Sequence, residues 1–372
     1  MFRPAIQRTS VLVTMAVISL IIFYGASAIR VEQREAGYDI KIKAAQRMAA
    51  AMQVLKDHRM AEAHFIDDVN DPNETALIGS QFTQITTDEG DLDAKISVLD
   101  PNVAAMVVDY LVKAGVTRGD TVAVAVTGSM PGGNIAVYCA LEEMGVHPRI
   151  ITSVGASQWG ANIGDFTWLD MERILAEAGL ISNRTIAASL GGGSDIGRRL
   201  SPGGRQIVEA AIARNEITPL LSKDLEDAIN NRIVLYSETQ PLSRYAAFIN
   251  IGGGAAVLGD AITARLIQPG LTMQLDLQSL RSRGVIAHFG RAGVPLIHIL
   301  SIREMFGQFD YPYAATPAPE LGSGTFYSSE HYSPLATTLA LIILLGMLIT
   351  VGLNSKRKIR HYLEQHEPDS YV

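Results

Sequence analysis

Two uncharged apolar runs bracket the chain, residues 11–29 and 334–353. Each matches the roughly 20 residues that cross a bilayer as a helix. Between them the pattern changes. Residues 30–100 combine a stretch rich in strong helix formers (32–59) with an acidic, turn-rich segment (67–93). They read as a helical stalk, or the first helix of a domain, followed by a solvated loop. From residue 101 short β-prone runs alternate with amphipathic ones. Helical patterns cover 102–113, 134–144, a segment from about Thr167, 204–213 and 224–230. Continuous apolar runs fall at 121–127, 149–154, 185–190, 245–251 and 294–300. A capping-box pattern, Thr167 with Asp170, marks one helix start. Such alternation predicts an α/β fold: a mainly parallel sheet with helices on both faces, flanked by two transmembrane helices. The α/β domain is expected over 101–307. A Tyr-, Pro-, Gly- and Ser-rich linker (308–333) leads into the second apolar run.

Charge orients this plan. Arg3 and Arg8 precede the first run with no acid beside them, and Lys356, Arg357, Lys358 and Arg360 follow the second. Basic flanks stay in the cytoplasm. Residues 1–10 and the tail 354–372 are therefore expected inside a cell (inner) membrane, with the main domain outside. Ala26-Ser-Ala28 leaves a cleaved signal peptide as the alternative for the first run. Setting aside the six bases and three acids of the two ends turns the net charge of −7 into −10 for the body. An acidic body repels nucleic acid, so none is expected as a partner. The single cysteine, Cys139, excludes an intrachain disulfide and sits in a run that reads as buried helix.

Candidate chemistry concentrates where strands end. Four glycine-bearing loops follow β-prone runs, at 127–134, 153–160, 189–197 and 250–255. In open α/β sheets ligands bind beyond the carboxyl ends of the strands. Helices starting after such loops would add partial positive charge, so the pocket suits a carboxylate or phosphate. The candidate ligand contacts are Gly128, Ser129, Gly132 and Gly133 in the first loop, and Gly155 and Ser157 in the second. The third supplies Gly191, Gly192, Gly193, Ser194 and Asp195, the fourth Gly252, Gly253 and Gly254. Arg198, Arg199 and Arg205 lie close enough in sequence to add charge. Glycine after a strand also serves turn geometry alone, and no loop matches a nucleotide-binding fingerprint. Ser129 and Ser194 are possible nucleophiles without a G-x-S-x-G context. The acidic loop lacks EF-hand spacing, and His58, His64, His147, His288, His298 and His331 are scattered. No metal or cofactor is expected. Trp159 and Trp168 flank the second loop, as core residues or pocket walls.

The arrangement resembles the bacterial poly-γ-glutamate system protein family. The stretches 124–136, 189–197 and 248–254, between an N-terminal anchor and a C-terminal helix with a basic tail, carry the likeness across nearly the whole chain. The resemblance implies a membrane accessory role beside the ligase that makes poly-γ-glutamate, a capsular or secreted polyanion. The implied partners are the polymer or a small carboxylate, other membrane subunits of the system, and the lipid bilayer. It transfers no catalytic residue. Two alternatives stay open: an extracytoplasmic amide hydrolase or transferase acting on the polymer, and a small-anion sensor or scaffold.

Overall fold

A computed structural model describes residues 7–62, 66–260, 262–276 and 283–365. Residues 1–6, His64 and the end of the basic tail (366–372) lie outside the described residues. The chain forms two units: one from Met1–Arg34 with Ser328–Val372, the other from Glu35–Tyr327.

The first unit holds two helices long and apolar enough to cross a membrane. Helix α1 (Thr9–Ala28) has a mean hydropathy of 2.2 over its most apolar stretch, with none of it buried. Helix α13 (Pro334–Gln365) reaches 2.4 in its apolar part, likewise unburied, and continues without a break into the basic segment. The two lie against one another. Strand β1 (Arg30–Arg34) pairs antiparallel with β11 (Ser328–Tyr332), Glu32 facing Glu330. Neither strand was legible, because both are polar on both faces and carry no alternation. Residues 308–333 are therefore not a plain linker: their last part is strand, and the rest belongs to the larger unit.

That unit is built on a seven-stranded sheet of order β7-β6-β3-β2-β8-β10-β9. The strands are β2 (Thr121–Thr127), β3 (His147–Ser153), β6 (Ala187–Ser189), β7 (Thr218–Pro219), β8 (Ala247–Ile251), β9 (Gly270–Thr272) and β10 (Leu296–Ile299). All neighbours are parallel except the β10–β9 edge pair. Residues 162–163 and 166–167 form a separate two-stranded ribbon.

Alternation along the central strands explains the two covered faces. Val122, Val124 and Val126 of β2, with Ile249 and Ile251 of β8, point into one core. There they meet α2 (Tyr38–Ala61), α4 (Asn102–Lys113) and α5 (Pro131–Met144). The opposite side of β2 is Ala123 and Ala125, small enough to admit a cluster of aromatics from α8 (Leu225–Ser237), α11 (Val285–Arg291) and β8. Phe248 and Phe289 stack at 4.4 Å, and the Tyr236 hydroxyl donates to the Val124 carbonyl at 2.7 Å. Helix α6 (Trp168–Glu177) starts at the expected capping box, and Arg214 of α7 (Pro202–Arg214) grips its Asp170 at 2.5 Å.

Helix α2 is an integral part of this unit and not a stalk. Ala44, Met48 and Leu55 are fully buried, and Lys41 pairs with Asp109 of α4 at 2.7 Å in the interior. The same Nζ donates to the Phe326 carbonyl at 2.6 Å. Tyr311 donates to Asp100 at 2.6 Å and Tyr327 to Asn102 at 2.9 Å, tying residues 308–327 to the start of α4. The domain thus extends past the expected limits of 101 and 307 at both ends. Cys139 is fully buried in α5, and burial pushes its thiol up to about 12, out of the reactive range.

Candidate functional site

From β2 the chain steps outward in one direction through β3, β6 and β7, then returns to β8 on the other side of β2 and continues to β10. The order reverses between β2 and β8. At such a switch point the loops leaving neighbouring strands diverge to opposite faces and leave a crevice. Here the crevice is a cavity of about 570 Å³. Thr127 at the end of β2, Ser153 at the end of β3, Gly252 after β8 and Leu300 after β10 all line it.

All four glycine loops reach this cavity, but not by all of their candidate residues. Ser129, Gly155, Ser157, Gly192 and Gly193 are on its wall, as are Ser194, Asp195, Gly252, Gly253 and Gly254. Gly128, Gly132, Gly133 and Gly191 are not among the lining residues. Gly132 and Gly133 serve packing: a Cβ on Gly132 would lie 2.4 Å from the Val98 carbonyl oxygen, and one on Gly133 would meet the Ile251 and Ile299 methyls. The helices expected after the second and third loops form, but α6 and α7 begin only at Trp168 and Pro202, several residues beyond those loops. Only the first loop runs directly into a full helix, α5, whereas α9 (Ala255–Leu258) has four residues and the third loop contains only a three-residue 3-10 turn, Gly193–Asp195. Helix dipoles therefore contribute less positive charge than the loop pattern suggested.

Side chains supply what the dipoles do not. Lys95, on α3 (Leu92–Val98), is 4% exposed and extends its amine to the cavity wall. Nζ contacts the Ser129 carbonyl, the Ser157 hydroxyl at 3.0 Å and Met130 Sδ at 3.4 Å. Burial lowers its pKa to about 8, against a smaller opposing pull from Asp91. Ser157 donates its N–H to Ser129 Oγ at 3.0 Å, coupling the first two loops.

Asp195 is a wall residue of a different kind. Its carboxylate pairs with Arg232 at 2.5 Å, each side chain 1% exposed, and accepts from Ser153 at 2.7 Å and Ser189 at 2.9 Å. Arg232 donates in turn to the same two hydroxyls. With every oxygen engaged, Asp195 holds the third loop in place while Ser194 and Asp195 adopt left-handed backbone at φ 57° and 64°. Of the three candidate arginines, Arg199 lines the cavity and pairs with Asp88 at 2.6 Å, while Arg205 donates to the Gly197 carbonyl and Arg198 is exposed away from the lining. Trp168 is fully buried in the core, and Trp159 is half-buried on a separate cleft near Arg59 and Asp71.

The segment read from sequence as a solvated acidic loop forms the outer wall. Thr87, Asp88, Glu89, Gly90 and Asp91 line the cavity, and Thr86 bridges to Ala156 of the second loop. A stretch of mixed acids and turns has no local signal for this, since the contact is made across the domain. Among the described residues no group of three or more His, Cys, Asp or Glu side chains converges as a metal site. Comparison of the chain with family models, curated proteins and solved structures found no match.

Proposed function

We propose that this chain is a membrane-anchored accessory protein of poly-γ-glutamate synthesis, export or retention, whose outward α/β unit binds a carboxylate-bearing glutamyl group. The observation that carries the reading is the convergence of all four glycine loops, with Lys95, on one cavity at the switch point of the sheet. The charges around that cavity narrow the ligand. Arg199 is matched by Asp88 and Asp195 by Arg232, which leaves Lys95, Glu89 and Asp91 as the other charged residues on the cavity wall. A uniform polyanion meets repulsion from the two carboxylates. A chain end carrying both an ammonium and a carboxylate meets a partner for each. The free amino terminus of a γ-glutamyl chain has this chemistry, and the interior of the chain does not.

Calorimetric titration of the full-length protein in detergent micelles with short γ-glutamyl oligomers is the direct test. Binding is expected for oligomers with a free amino terminus. N-acetylation should weaken it about tenfold or more, the loss of one charge-assisted hydrogen bond. Equal heats for acetylated and free oligomers would remove the chain-end assignment. No heat from any γ-glutamyl ligand would remove the ligand altogether.

The anchored topology places both termini in the cytoplasm and the larger unit outside. It is supported by the two apolar helices and by the basic residues beyond each. Alkaline phosphatase fused after Ser333 should be active, and the same fusion at Val372 silent. Activity from the Val372 fusion would reverse the orientation.

A further inference from the structure

Lys95 is a buried amine with no carboxylate among the described residues in ion-pair contact. Its three neighbours are the Ser129 carbonyl, Met130 Sδ and Ser157 Oγ. A neutral amine has two N–H donors and one lone pair. The carbonyl and the thioether can only accept, so they take the two N–H groups. Charged, the amine donates a third N–H to Ser157 Oγ at 3.0 Å; once it is neutral, its lone pair faces that hydroxyl, which then donates to it. The Ser157 backbone N–H is anchored on Ser129 Oγ at 3.0 Å, so the turn that presents the hydroxyl is held. Ser157 and Lys95 both line the cavity, so a bound acyl group would meet this pair.

We propose that Lys95 and Ser157 are a base and nucleophile, making the cavity a serine acyl-transfer site for a carboxylic amide. The amine removes the hydroxyl proton as Ser157 Oγ bonds to the amide carbon. The tetrahedral adduct collapses with cleavage of the C–N bond. The departing amine takes the proton back from the Lys95 ammonium, and the acyl group remains as an ester on Ser157. Lys95 then deprotonates a water that attacks the ester, Ser157 recovers its proton, and the sum is amide plus water giving acid plus amine. A base that is half neutral near pH 8 is suited to this work at physiological pH. Helix α5 begins at Pro131, next to the lining residue Met130, and so sets its partial positive charge behind the same wall, where a developing oxyanion benefits. The inference shares its cavity with the function proposed above but not its ligand. A glutamyl group that fails to bind leaves it standing, and an inert Ser157 leaves binding standing.

The full-length protein in detergent micelles is incubated with a fluorophosphonate, and adducts are mapped by peptide mass spectrometry. A single adduct on Ser157 is expected, absent from Ser157→Ala, with a labelling rate that rises between about pH 6 and pH 9. Lys95→Met and Lys95→Arg should each slow labelling at pH 8 by about 100-fold or more, the usual worth of a general base. Asp91 at the N-cap of α3, Asp88 and Glu89 before it, and Asp195 and Arg199 line the same cavity, while Arg303 of the neighbouring helix α12 (Ile302–Gly307) lies 3.9 Å from Asp93 of α3. Comparison with Lys95→Met isolates the part of the pH profile that belongs to Lys95. No adduct, an adduct on another residue, or wild-type labelling by Lys95→Arg overturns the proposal. Should the Lys95 variants fail to fold, Ser157→Cys keeps the question open to test with Lys95 in place. Its thiol should react with iodoacetamide at pH 7 about tenfold or more faster than free cysteine, since the neighbouring amine takes its proton. A rate equal to free cysteine also overturns the assignment.

Discussion

Replacing Asp195 with alanine is expected to cost the larger unit about 3–5 kcal/mol, because it strands the Arg232 guanidinium in the interior. Both side chains are 1% exposed. In the native state Arg232 is neutralised by the carboxylate at 2.5 Å and bonded to the Ser153 and Ser189 hydroxyls. Those hydroxyls satisfy hydrogen bonds but not charge. A second contribution comes from the backbone, since Asp195 ties down a loop whose Ser194 and Asp195 are left-handed. Typical domains have only about 5–15 kcal/mol in all, so the variant loses a large share of its margin. The thermal midpoint of the full chain in micelles should fall by about 6–20 °C. Arg232→Met added to Asp195→Ala should recover part of that loss, because no unpaired charge then remains. A midpoint for Asp195→Ala within about 2 °C of wild type would mean that the pair is not closed in solution.

Gly253→Val is expected to weaken glutamyl binding by about 10–100-fold while leaving the fold intact. A Cβ built on Gly253 meets nothing within 4 Å, the residue is exposed on the cavity wall, and its φ lies outside the left-handed range. Nothing in the folded chain resists a side chain there, so the thermal midpoint should stay within the effect of an ordinary surface change, about 0.5 kcal/mol. What valine fills is the space a ligand needs to approach the main chain. Loss of one hydrogen bond to a charged group accounts for the expected magnitude. Gly192 does not offer the same separation, although it lines the same cavity. It sits at φ 67°, and its Cβ would lie 3.0 Å from Thr87 Cγ2. Valine at 192 should destabilise by about 1 kcal/mol or more whether or not the backbone touches ligand. Undiminished binding by a folded Gly253→Val protein would show that the fourth loop is a turn and nothing more.

The contrast between these two glycines shows how far the sequence reached. Both stand in a Gly-Gly-Gly run after an apolar strand, and no local feature distinguishes them. The separation comes from the left-handed φ of Gly192 and from Thr87, a residue of the acidic segment that its Cβ would meet. The same segment leads into Lys95, which reading by glycine loops passed over. An Asp N-cap at Asp91 followed by a seven-residue helix is the one local trace of its placement. That helix is too short for periodicity to say which face its lysine takes.

Length, hydropathy and alternation are local properties, and whatever depends on them was present in the sequence. The two apolar helices, the succession of strand and helix through the body, the capping box at Thr167 and the burial of Cys139 all follow from residues within a few positions of one another. The basic flanks belong with these, as the ground for the proposed orientation. The tertiary structure decided the rest. The reversal of strand order between β2 and β8 brings loops from distant parts of the chain to one cavity. Lys95 meets Ser157 across 62 positions, and Arg232 meets Ser153 across 79. No repeat or period links such segments. Their meeting is imposed by the hydrophobic faces of the sheet and its helices, which bury together and carry these polar side chains with them.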